Sequence, residues 1–183
     1  MEEYLDILDK TGKPLGEAHP KSEVHQHGYY HNTVHVWFYT DKGDILLAQR
    51  SFKKAICPGL WDVSVAGHVD SGETLEAAAS REVWEEIGLK IDPKELKKIG
   101  VFECFQKYDF GISDFEFHHT YLHKLTIPLN ELKPQPEEVE ALKLVSLERF
   151  SYYIENIGEA NHFVPSNKAY YLKVMKAVEK IIS

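Results

Sequence analysis

The sequence predicts an α/β (α+β) sandwich rather than a doubly wound parallel sheet. Strand-like runs separated by turn residues fill most of the first 66 positions and recur after residue 99. Between them lies one strongly amphipathic helix, near residues 74–88, and helical periodicity returns toward the C-terminal end. With 183 residues and 43% hydrophobic side chains, the chain is expected to form a single domain, 1–183, around one sizeable core.

Tyr4 to Ile7 and the turn Asp9-Lys10-Thr11-Gly12-Lys13 look like the start of a hairpin, so a β-hairpin extension is expected over about residues 1–30. Val34 to Tyr39 reads as an apolar, partly aromatic strand, Asp41-Lys42-Gly43-Asp44 as a turn and Ile45 to Gln49 as a second strand. The loop Arg50-Ser51-Phe52-Lys53-Lys54 and the segment Pro58-Gly59-Leu60-Trp61 then lead into a third strand, about Asp62 to Ala66. The helix that follows should start near Thr74. Its Ala79, Val83 and Ile87 recur at spacing four and form an apolar stripe, and Gly88 suits a left-handed cap. Ala77, Ala78 and Ala79 are good helix formers and small enough to lie close to a sheet. Ile99 to Phe105, Phe115 to Thr126 and Ala141 to Ser146 read as further strands, and Leu147 to Glu155 as a short helix. Tyr171, Leu172, Met175, Val178 and Ile182 stand at helical spacing, so a packing helix over about 168–182 should close the core. No repeat or low-complexity tract is present, and the polar stretch Leu132 to Glu138 is a loop.

Composition narrows the function. No stretch approaches the roughly 20 apolar residues that span a bilayer, and the acidic opening lacks a basic segment followed by an apolar run. A cytoplasmic protein without a membrane partner is expected. Cys57 and Cys104 have neither metal-ligand spacing nor the look of a disulfide framework, which agrees with a reducing compartment. A net charge of −8 argues against a nucleic-acid polymer as partner, and it requires that a polyphosphate be received by local basic groups and metal. Oligomeric state is left open, a homodimer included.

The chemistry concentrates in GHVDSGETLEAAASREVWEEIGL, residues 67–89. At 3.6 residues per turn, Glu82, Glu85 and Glu86 crowd one sector of the helix. Crowded carboxylates call for a cation, and oxygen-only donors suit Mg²⁺ or Mn²⁺ bridging to a phosphate. Gly67 and Gly72 bracket a loop able to expose backbone carbonyls, while Glu73 and Arg81 offer support. Arg81 lies one turn before Glu85 and can orient it with a rigid fork of donors.

This stretch resembles the Nudix box: glycine, five residues, glutamate, seven residues, then Arg-Glu-hydrophobic-any-Glu-Glu-any-Gly-hydrophobic. Gly67, Glu73, Arg81, Glu82, Val83, Glu85, Glu86, Gly88 and Leu89 match every specified position. The resemblance implies a Nudix-type α/β/α sandwich around a mixed β-sheet. It also implies a diphosphate hydrolase in which Glu82, Glu85, Glu86 and the Gly67 carbonyl hold Mg²⁺ or Mn²⁺ while water attacks phosphorus. A small-molecule diphosphate would be the partner. For the general base, Glu85, Glu86 and Glu116 are the leading candidates, with Glu137 and Glu138 as further carboxylates on a later loop.

The wider stretch HNTVHVWFYTDKGDILLAQRSFKKAICPGLWDVSVAGHVDSGE is similar to the subgroup of isopentenyl diphosphate isomerases and their hydrolase relatives, through Arg50, Ser51, Lys54, Pro58, Gly59, Trp61, Gly67 and His68. Those isomerases carry a catalytic cysteine immediately before the box-opening glycine. This chain has Ala66, and a methyl group cannot shuttle a proton, so the isomerase is the disfavoured alternative. The subgroup implies a second metal at histidines of this segment, which points to His31, His68 and Glu116; Asp114-x-Glu116 stands where the isomerase-like group carries metal-binding acids. Arg50 and Lys54, in the compact basic patch ahead of the box, are assigned to diphosphate contact. Two non-catalytic alternatives remain, a nucleotide-binding sensor and a metal-binding module built on the histidines. The intact triple carboxylate speaks against the sensor.

Overall fold

The computed structural model describes residues 2–157, 163–164 and 167–183. A strand β3 (His31–Tyr39) lies at its centre and pairs with three partners. It runs parallel to β8 (Ser113–Lys124) and antiparallel to β6 (Val65–His68), and at its far end it meets β4 (Ile45–Arg50) through Tyr39 and Ile45. The edges are β5 (Trp61–Asp62) and β9 (Val139–Val145) beside β4, and β7 (Lys97–Lys107) beside β8. The result is one seven-stranded mixed sheet, with β1 (Tyr4–Leu8) and β2 (Pro14–Pro20) as a separate antiparallel hairpin.

Alternation along β3 sorts the core into two layers. Val34, Val36 and Phe38 pack with Ala78, Ala79, Val83 and Ile87 of α2 (Leu75–Ile87). Trp37 and Tyr39 pack with Phe150, Tyr153 and Ile154 of α3 (Leu147–Glu155) and with Tyr170, Tyr171, Val174 and Val178 of α4 (Lys168–Ile182). The molecule is therefore an α/β/α sandwich around a mixed sheet, as expected. α2 begins where Thr74 accepts a hydrogen bond from the Ala77 amide, 3.3 Å, and ends at Gly88 with φ 68°. Both ends fall where the sequence puts them, because cap chemistry is local.

Three readings are corrected. The segment read only as a hairpin extension also holds a helix, α1 (Lys21–His27); it is seven residues long and buries only Val24, too little for an apolar period to register. The strand expected over Asp62 to Ala66 is two strands, β5 and β6. They part at Val63–Ser64, where the Ser64 hydroxyl accepts from the Phe38 amide at 2.9 Å and donates to the Leu46 carbonyl at 2.6 Å. This side chain bridges β3 and β4 where the sheet forks. β3 itself starts at His31 rather than Val34, since its first residues are polar and carry no apolar signal.

On the α2 face, His119 accepts from Lys98 Nζ at 3.0 Å and donates to Asn32 Oδ1 at 2.8 Å. Burial, then the nearby Lys98 charge, hold its pKa at about 4, below the ordinary 6.5. The unfolded chain takes up a proton below pH 6.5 that the folded chain refuses, so this residue costs stability as pH falls from 6.5 toward 4. We expect His119→Gln to give a shallower fall of the unfolding midpoint across that window, measured by thermal denaturation at stepped pH.

Candidate active site

A cavity of about 280 Å³ opens on the α4 face of the sheet. β3, β6, β7 and β8 contribute to its lining, α1 and the hairpin stand at one end, and Tyr170 and Tyr171 of α4 at the other. Glu82, Glu85 and Glu86 reach it from α2 beside Ala66, Gly67 and His68. The Glu82 carboxylate lies against the Gly67 backbone so closely that a Cβ there would overlap it. Only glycine leaves the Glu82 carboxylate in this place; a Cβ would displace it.

Arg81 organises these acids. Its guanidinium donates to Glu73 at 2.8 and 3.2 Å, to Glu82 at 2.8 Å, to Glu85 at 3.1 Å and to the His68 carbonyl at 3.0 Å. Glu85 remains half-exposed, whereas Glu86 is buried and has only a long contact from the Ala66 amide, 3.4 Å. Burial, then the Glu82 charge, push the Glu86 carboxyl up to about 8 against the pull of Lys54. Burial likewise raises Glu82, although Arg81 opposes it. A buried acid and a half-buried one, both raised by burial and next to a backbone turn and a cavity, form an oxygen donor set suited to a hard divalent cation.

A second cluster lies on the sheet itself. His25, His31, His68 and Glu116 each present a ligand atom, all within 4.8 Å of one another. His31 is fully buried, yet its Nε2 stands 3.6 Å from Glu116 Oε1 without a hydrogen bond; Asp114 Oδ1 is similarly orphaned, 3.6 Å from His25. Buried polar atoms facing one another without bonds fit a bound ion, and the mixed imidazole and carboxylate donors suit zinc or manganese. Glu116 is held by His118, whose Nε2 lies 2.8 Å from Oε2. Burial disfavours the Glu116 charge, but the contacts from His118 and His31 prevail and keep its pKa well below the carboxylate range. Burial also works against the His118 charge; hydrogen bonding to Cys104 and Glu116 overrides it and lifts His118 to about 9. Burial and the nearby Lys21 keep His68 neutral.

The structure thus brings together Gly67, Glu73, Arg81, Glu82, Glu85 and Glu86 in one group, His31, His68 and Glu116 in another, and places Arg50 and Lys54 on the same cavity. Neither cation is free. Arg50 bonds Asp62 at 3.2 Å and the Ile56 carbonyl at 3.0 Å, and Lys54 pairs with Glu138. Glu137 stands apart from the cavity lining and pairs with Lys53 at 2.6 Å. Sequence reasoning did not select His25 or Lys21, both on the unrecognised α1; Lys21 lines the cavity and pairs with Glu3 at 2.7 Å. Their spacing of four, one helical turn, is the signal that a reading of α1 would have supplied. Thr33, Cys104, His118 and Tyr170 also line the cavity.

An α/β/α sandwich that carries a carboxylate helix against a glycine loop, over a cavity edged with cations, defines a phosphate-handling class of protein. The chain belongs to the NUDIX domain family, whose match covers residues 29–165. It is 40% identical over 169 residues to Nudix hydrolase 3 of Arabidopsis thaliana, a match that takes in 90% of this chain but only 22% of that protein's length. It is 32% identical to isopentenyl-diphosphate Delta-isomerase 2 of Photorhabdus laumondii, over 85% of this chain and 84% of the relative. Among solved structures, DR0079 from Deinococcus radiodurans superposes with a TM-score of 0.67 at 22% identity, covering 97% of this chain and 98% of that one, and this supports the fold. The kinship with both Nudix hydrolases and isomerase-named proteins agrees with the resemblance drawn from the sequence. No helix among the described residues is long and apolar enough to cross a membrane.

Gly67→Ala would force the Glu82 carboxylate off the backbone. We expect Mn²⁺ binding, measured by isothermal titration calorimetry, to weaken about tenfold or more, with near-ultraviolet circular dichroism showing that the fold is kept.

Proposed function

We propose that this chain is a divalent-metal-dependent hydrolase that cleaves the diphosphate linkage of a nucleoside diphosphate derivative or another organic diphosphate. The observation that carries the reading is the buried Glu86 carboxyl, raised by burial and then by the charge of half-buried Glu82, which itself lies against Gly67 on the cavity wall. Glu82, Glu86 and the Gly67 carbonyl would hold Mg²⁺ or Mn²⁺, with Glu85 completing the set. Such an ion, when bound, acidifies a coordinated water and neutralises phosphate oxygens.

The chain's own residues then have separable tasks. Glu85, more exposed than its two neighbours and bonded by Arg81, would accept a proton from the attacking water. Glu116, kept ionised, would complete the second metal site with His31, His68 and His25. Arg50, Lys54 and Lys21 would receive the diphosphate by exchanging their present carboxylate partners for phosphate oxygens. Because each cation is already paired, substrate affinity should depend strongly on metal.

The isomerase alternative stays behind. Ala66 does line the cavity where that reaction needs a thiol, and the thiol that also lines it, Cys104, sits on β7 with β3 and β8 in between.

A screen that separates the phosphomonoester products by chromatography, with Mg²⁺ and Mn²⁺ over nucleoside diphosphates, nucleotide sugars, dinucleoside polyphosphates and isopentenyl diphosphate, tests the reading. We expect hydrolysis of at least one class, falling about 100-fold or more in Glu86→Gln. Proton exchange into the isoprenoid without any hydrolysis would defeat the proposal in favour of the isomerase, and tight binding without turnover would favour a sensor.

A further inference from the structure

The β1–β2 hairpin lies ahead of the residues matched by the family, 29–165, yet it is bonded to the loop that joins β6 to α2. Leu5 forms an antiparallel bridge with Asp70, and the Ser71 amide donates to the Tyr4 carbonyl at 2.7 Å. Asp6 completes the attachment. Its Oδ1 accepts from the Ser71 hydroxyl at 2.6 Å and its Oδ2 from the Gly72 amide at 3.2 Å, so three donors of the loop end on β1. Burial does not select this aspartate: Leu5 and Ile7 on either side are buried, while Asp6 itself is exposed. Valine or threonine would suit an exposed strand position better. On its inner side the same loop belongs to the metal site. The Glu73 amide closes a turn on the Asp70 carbonyl at 2.9 Å, and the Asp70 amide donates to Glu73 Oε2 at 3.3 Å. Glu73 in turn takes two bonds from Arg81, the guanidinium that also holds Glu82 and Glu85. The loop is thus gripped from outside by Asp6 and from inside by Arg81.

Resting on the metal-dependent reading above, we propose that Asp6 is a positioning residue for the carboxylate metal site. It fixes the turn over residues 70–73, and through Glu73 and Arg81 that turn fixes where Glu82 and Glu85 present their oxygens. Metal sites lose affinity when the outer hydrogen bonds that orient their ligands are removed. Without Asp6 the Ser71 hydroxyl and the Gly72 amide face water, the turn samples other positions, and an incoming cation has to order it on binding. The carboxylate is suited to this task because it offers two acceptor oxygens with a charge, one for each donor.

The test titrates Mn²⁺ alone, by calorimetry, into wild type, Asp6→Ala, Asp6→Asn, Ser71→Ala and the Asp6→Ala/Ser71→Ala double variant. The carboxylate site is identified as the binding step that Glu86→Gln removes, and the metal-free unfolding midpoint of each variant is measured alongside. Asp6→Ala is expected to weaken that step about three- to tenfold and Ser71→Ala about threefold, with Asp6→Asn, which keeps one acceptor oxygen, weaker than wild type but tighter than Asp6→Ala. Because the Ser71 hydroxyl acts through Asp6, the double variant should bind no more weakly than Asp6→Ala. The metal-free midpoint should move little, since the Asp6 contacts lie at the surface. Wild-type affinity in Asp6→Ala overturns the proposal. So do additive losses in the double variant, or a metal-free midpoint that falls in proportion to the affinity, which would make the hairpin a brace of the fold alone. If Glu86→Gln removes no step, there is no carboxylate metal site and Asp6 has nothing to position. None of these titrations needs turnover, so a chain that binds Mn²⁺ but hydrolyses no diphosphate would defeat the hydrolase reading and still leave the role of Asp6 decided by binding.

Discussion

The candidate site depends on how Arg81 ties α2 to β6. One guanidinium touches three carboxylates of the box and the His68 carbonyl. A lysine would bring the charge but not the planar fork that reaches several acceptors at once. Because the carbonyl belongs to the strand and the acids to the helix and its leading loop, this contact converts sequence spacing into three-dimensional register. The close approach of Glu82 to Gly67 follows from it, and so does the burial of Glu86 one turn farther on.

Around that anchor the cavity is electrostatically unbalanced. Eight carboxylate residues and three Lys or Arg residues line it, among the described residues. The three cations are each tied to an acid, so they relieve little of the strain on the rest. Burial first, and then a neighbouring acid, raises a carboxyl here: the Glu82 charge adds to burial at Glu86, and the Glu116 charge adds to it at Asp114. Crowding of this kind costs stability, as residues grouped for function rather than packing commonly do. On the far side of the sheet, Val34, Val36 and Phe38 of β3 pack on apolar residues of α2.

The parts of the fold and site that were readable in sequence are those with a short period or a local cap. α2, α3 and α4 could be bounded because their apolar stripes and caps lie within a few residues of the ends. The Nudix box was readable for the same reason, since its members sit on one loop and one helix. What escaped was non-local. The break between β5 and β6 depends on Ser64 satisfying backbone groups from two other strands. α1 carries one buried apolar residue, and so Lys21 and His25 lacked an element to place them. Residues 31–33 looked unlike a strand because all three are polar: His31 joins the histidine cluster, Thr33 lines the cavity, and Asn32 accepts from His119 on the other face. The grouping of His25 with His31, His68 and Glu116 needed the parallel pairing of β3 with β8, which no spacing announces.

That parallel pairing bears on how the protein acquires its shape. His31 and Glu116 stand opposite each other in register although about 85 positions separate them in the chain. Closing so long a loop costs entropy before the contacts it permits can repay it, and parallel strands so far apart pair slowly. The hairpin β1–β2 and the helix α2 are local and need no such closure. The histidine and glutamate cluster therefore cannot assemble before β3 and β8 have paired. A chain in which those strands are still apart lacks it, so capture of an ion at this cluster would report that the long-range pairing has been made rather than guide the local elements that need no such closure.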